Sequence, residues 1–89
     1  MDFPVIDPTA TGQNIVRLRK ARGLTVKDLQ IYFGFEEPRA IYKWQRGETL
    51  PSVDNLYALS RILQVPMDSI LIPRQLHLLA SEQQDDSSC

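Results

Sequence analysis

The chain has 89 residues, 43% hydrophobic and 24% charged, with a net charge of −1, which suits one small domain around a single core. One cysteine, Cys89, and one histidine, His77, exclude an internal disulfide and a structural zinc site, and they fit a reducing, cytoplasmic setting. No apolar run approaches the roughly 20 residues of a membrane span, and the acidic, proline-broken start MDFPVIDPTATG is unlike a signal peptide.

In chain order, residues 1–11 carry two prolines and no helical period, which predicts an extended arm. A first helix fits Thr11 or Gly12 to about Arg22, with Ile15, Leu18 and Leu24 inward and Arg17, Lys20 and Arg22 outward. Gly23 stops it. Thr25 suits the N-cap of VKDLQIYF, whose inward stripe is Val26, Leu29 and Phe33. Gly34-Phe35-Glu36-Glu37 makes the next turn, and Pro38 suits the first position of a helix ending at Arg46, before Gly47. Ile41 and Trp44 mark the packed side of that helix. A fourth helix runs from Ser52 to about Gln64, with Val53, Leu56, Leu59 and Leu63 on its apolar face. Met67–Leu71 allows one short helix, Arg74 onward a weak sixth, and QQDDSSC reads as a polar, disordered tail. The expected division is an arm at 1–11, a helical domain at 12–73, and a short helix with an acidic tail at 74–89.

The charge is unevenly spread. Between residues 12 and 47 there are eight lysines and arginines against three acidic residues, whereas residues 48–89 hold two basic and six acidic ones. A basic half and an acidic half point to a polyanionic partner, although a merely solvated basic face gives the same count. Around the Pro38–Arg46 helix, Arg39, Tyr42, Lys43 and Arg46 share one face while Ile41 and Trp44 occupy another. No second histidine, phosphate-binding glycine loop or triad suggests an enzyme, and no cofactor or metal is expected.

The ordered set RLRKARGLT, a glycine turn, I-x-K-W-x-R-G and LPSVDNLYALSRIL resembles the lambda-repressor/Cro-like (XRE-type) helix-turn-helix DNA-binding family over Gly12–Leu71. That resemblance implies an all-α fold of five helices, with Leu24–Phe33 crossing the phosphate backbone and Pro38–Arg46 entering the major groove. It implies a sequence-specific transcriptional regulator that binds double-stranded DNA as a homodimer, in a bacterial cytoplasm and associated with the nucleoid, without membrane or small-molecule cofactor. Apolar density at Ile70, Leu71, Ile72, Leu76, Leu78 and Leu79 suggests a dimer surface, unless these residues only close the core.

Candidate base contacts are Arg39 and Lys43, then Tyr42 and Pro38, because arginine and lysine suit guanine acceptors. Tyr42 fits equally a phosphate, a thymine methyl or the edge of the core. Candidate phosphate contacts are Arg46, Thr25, Lys27 and Arg19. The alternative function is a protein-interaction module on the same scaffold, such as an antitoxin-like component; the DNA-binding reading requires Arg39 and Lys43 to be neither tucked under other segments nor tied up by Glu36 and Glu37.

Three departures from the family pattern bear on docking. One extra residue lies between Gly34 and Ile41, and Gln30 stands where the family prefers alanine. The two are expected to compensate, the longer turn moving the next helix outward to admit Gln30. Val26 replaces a phosphate-binding glutamine, and Gln45 replaces a glutamate whose partner position is Arg19.

Overall fold

A computed structural model describes residues 3–75, in which α1 (Pro8–Ala21), α2 (Val26–Phe33), α3 (Arg39–Arg46), α4 (Val53–Leu63) and α5 (Met67–Ile70) follow one another. The described part is all-α, as expected. The candidate sixth helix and the acidic tail lie outside the described residues, apart from Arg74 and Gln75.

Helix α1 starts earlier than the sequence suggested. Asp7 accepts a hydrogen bond from the Ala10 N–H at 3.0 Å, and Pro8 sits in the first turn, where its missing N–H costs nothing. The helical period had been sought in apolar residues, and PTATG carries almost none. The extended arm is correspondingly shorter and is tied down. Ile6 pairs antiparallel with Pro73, the Asp7 N–H donates to Ile72 O at 2.8 Å, and the Arg74 N–H donates to Val5 O at 2.6 Å.

The core is Ile15, Leu29, Ile41, Trp44, Leu56, Leu59, Leu63 and Ile70, with Leu18, Leu24, Val26, Phe33 and Phe35 packed against it. Every helix supplies at least one buried residue, so no element is stable without its neighbours. Phe33 stacks on Phe35 with centroids 5.1 Å apart, and both meet the Trp44 edge, which joins α2, the turn and α3 in one aromatic cluster.

Close backbone contact holds α1 against α3. A Cβ on Gly12 would lie 2.3 Å from the Trp44 carbonyl oxygen and 2.5 Å from that of Gln45, so only hydrogen fits there. Gly47 ends α3 at φ +78°, and a Cβ there would lie 2.7 Å from Thr9 Cα. Two buried polar side chains join α1 to the end of the domain. Asn14 donates to the carbonyls of Ser69 at 2.7 Å and Ile70 at 3.0 Å, and the Thr11 hydroxyl oxygen accepts from the Ile72 N–H at 2.9 Å. Each meets backbone groups that α5 is too short to satisfy itself.

Two apolar assignments differ from expectation. Val53, placed on the inner face of α4, is 76% exposed, because it follows the Ser52 cap and lies beyond the reach of the core. Ile70 is fully buried and Leu71 packs half-buried against the core, so these two help to close it, while Ile72 is half-buried apart from that cluster and Leu76, Leu78 and Leu79 lie outside the described residues.

Candidate nucleic-acid interface

Helices α2 and α3 and the turn between them form the candidate site. Helix α2 opens with reciprocal bonds: the Asp28 N–H donates to the Thr25 hydroxyl oxygen at 3.0 Å, and the Thr25 N–H donates to the Asp28 carboxylate at 2.8 Å. These bonds to Thr25 hold the Asp28 carboxyl below the usual aspartate range. Thr25 and Lys27 are both exposed, as a phosphate contact requires. The Thr25 N–H is committed to Asp28, so the groups left for an anion are the Thr25 hydroxyl proton, the Lys27 ammonium and the N–H groups of Val26 and Lys27, which have no partner within the helix. Asp28, three positions after Thr25, completes the reciprocal cap in the place where a glutamate or glutamine commonly stands.

Gln30 resolves the longer turn. It is half-buried, and its amide donates to the carbonyls of Phe35 at 3.2 Å and Glu36 at 3.1 Å. The side chain thus ties together two carbonyls of that turn. Gly34 begins that turn at φ +73°.

Helix α3 carries the cationic face. Ile41 and Trp44 are buried, while Arg39, Tyr42 and Arg46 are exposed and Lys43 is half-buried. Pro38 is the N-cap residue rather than the first helical one, half-buried, and offers no capping side chain. Packing the aromatic cluster on one side leaves these polar side chains outward on the other, which is the division the sequence suggested.

Two of the arginines have glutamate partners. Arg39 Nη2 donates to Glu37 Oε1 at 3.0 Å, with the side chains 73% and 66% exposed. Arg46 Nε donates to Glu48, which raises the Arg46 pKa and, with Lys43 nearby, lowers that of Glu48. The requirement that Arg39 be free of Glu37 is thus not met. The pair is open to solvent, however, and surface ion pairs contribute only about 0–1 kcal/mol, against about 1–3 kcal/mol of discrimination from a bidentate base contact. Arg39 stays available to a base. Among the described residues Lys43 makes no salt bridge.

Arg19 is a different case. Its Nε donates to Gln45 Oε1 at 3.1 Å and its Nη1 to the Leu24 carbonyl at 2.9 Å, bridging α1, α3 and the loop before α2. The partnership between Arg19 and Gln45 is the one expected, a charged–neutral bond in place of an ion pair. Half-buried and twice engaged, Arg19 positions these elements, with three of its five N–H donors, two of them on Nη2, left uncommitted by these two bonds.

No described helix is long and apolar enough to cross a membrane, and no cluster of three metal-ligating side chains occurs among the described residues.

Two short helices meeting through a glycine turn, the second anchored by Ile41 and Trp44 and cationic outside, define a helix-turn-helix protein. The Helix-turn-helix family profile matches residues 15–70, from the middle of α1 to the end of α5, and the chain belongs to that family. No curated protein matches the sequence. Among solved structures, the restriction-modification controller protein C.AhdI from Aeromonas hydrophila is similar at 25% identity and a TM-score of 0.65, over 72% of this chain and 96% of that one. The DNA-binding domain of BldD is similar at 19% identity and a TM-score of 0.64, over 74% of this chain and 94% of that one. The S. venezulae BldD DNA-binding domain matches at the same identity and score, over 74% and 97%. At that identity the BldD structures support the fold.

Proposed function

We propose that this helix-turn-helix chain is a sequence-specific DNA-binding transcriptional regulator that lays α3 in the major groove of duplex DNA. The observation that carries the reading is the split of α3 into an anchored apolar side and an exposed cationic side, of a width that the major groove admits. Membership of the family and likeness to a restriction-modification controller support it. In this reading Arg39 and Lys43 read bases, with Tyr42 and Pro38 beside them. Arg46, Thr25 and Lys27 hold phosphates, and Arg19 supports them from behind. The regulator works as a homodimer in the cytoplasm on a two-fold site with half-sites about one helical turn apart. Val53 and Tyr57, exposed on α4, offer it apolar surface that the buried Ile70 does not.

The reading is tested by titrating the protein against mixed genomic DNA at several salt concentrations. A chain that neutralises several phosphates loses affinity steeply as salt rises. The glutamate partners of Arg39 and Arg46 favour a second reading, a protein-interaction module, and that reading requires no DNA binding at low salt and a co-purifying protein instead.

A further inference from the structure

We infer that Glu37 is a specificity-determining residue, and that the Arg39–Glu37 pair reads both bases of one G·C pair as a single unit. This rests on the docking of α3 in the major groove proposed above. Across its major-groove edge a G·C pair presents, in order, the guanine N7 acceptor, the guanine O6 acceptor and the cytosine N4 donor. O6 and N4 are hydrogen-bonded to each other and so lie about 2.9 Å apart. Arg39 Nη2 and Glu37 Oε1 lie 3.0 Å apart, a donor beside an acceptor at the matching spacing. The guanidinium has a second edge nitrogen for N7, so donor, donor, acceptor on the protein faces acceptor, acceptor, donor on the base pair. An A·T pair presents acceptor, donor, acceptor, which sets a donor against the Arg39 fork and the thymine O4 against the Glu37 carboxylate.

The backbone that leads into this pair is braced. Glu37 enters through the longer turn, whose carbonyls at Phe35 and Glu36 are tied by Gln30. Both side chains rim one shallow groove at the start of α3, which Phe35 and Ala40 line and Lys43 bounds. Glu37 also carries the wrong charge for a phosphate, so it repels the duplex wherever the matching cytosine is missing. That penalty on non-specific binding is how a carboxylate on a DNA-facing surface sharpens selectivity.

The test starts from a duplex selected by the parent protein from a random pool, followed by competition binding with the Arg39-contacted pair changed from G·C to A·T. The parent is expected to prefer G·C by roughly tenfold or more. Glu37→Ala should cut that preference about fivefold or more while binding a scrambled duplex more tightly than the parent. Glu36→Ala removes the same charge without touching the pair and should leave the preference at the parent's level. If Glu37→Ala keeps the full preference, or Glu36→Ala loses as much, the inference is overturned while the DNA-binding reading stands. If the parent selects no duplex, both fall.

Discussion

Gly12 carries more of the architecture than its size suggests. The backbone of α3 passes directly over it, and a methyl group there would overlap two carbonyl oxygens of α3. Gly12→Ala is expected to destabilise the fold by about 3 kcal/mol or more, read as a lower urea midpoint at unchanged slope. The sequence placed Gly12 only as a helix start, because a glycine in a helix shows its own permissiveness and not what crosses it. Asn14 was equally opaque: its role depends on α5 ending beside it, more than fifty residues away in the chain. Apolar residues were more legible. Ile15, Leu29, Ile41, Trp44, Leu56, Leu59 and Leu63 are buried as their spacing predicted, since periodicity reports which side of a helix is covered. Val53 fails that rule because the first residue of a helix can share the angle of its face and still lie past the edge of the core.

The elements show where the chain has adapted a shared scaffold. The turn between α2 and α3 is one residue longer than the family pattern, and Gln30 is the side chain that closes it. Gln30→Ala removes two hydrogen bonds at a partly exposed site and is expected to cost about 1 kcal/mol of stability. The same variant should weaken binding to a selected duplex, since Glu37 and Arg39 follow directly from that turn. Circular dichroism melts and duplex titration of the one variant measure both effects. The start of α2 gives a pH-dependent signal. Asp28 is held below its usual range by Thr25, so its contribution is fully present above the ordinary aspartate value and fades as pH falls through the lowered one. Asp28→Asn should therefore be less stable than the parent at neutral pH, with the gap closing in acid. Equal gaps in urea midpoint at both ends of that range would contradict the assignment. Caps and glycine stops made α2 legible in advance, and apolar spacing bounded α3 and α4, but the Asp7 start of α1 and the partners across the turn were not legible, because side chains that bond to loop carbonyls leave no period to read.

At the scale of the molecule, charge and packing are two uses of the same helix. Residues 12–47 hold most of the positive charge and also all of α2 and α3, so the field that would attract a polyanion is centred on the surface that would meet it. The close backbone contact between α1 and α3 braces that surface from behind. Rigidity matters because base readout depends on side chains held to within a fraction of an ångström by elements that do not move. On this reading the central claim is that the outer face of α3, together with Pro38 and Glu37 leading into it, distinguishes one duplex from another. It is tested most directly by measuring affinity for a selected and a scrambled duplex with the parent, Lys43→Ala and Arg46→Ala. Lys43→Ala is expected to erase most of the difference between the two duplexes, and Arg46→Ala to weaken both alike with a shallower salt dependence. Two variants that bind both duplexes as the parent does would contradict it.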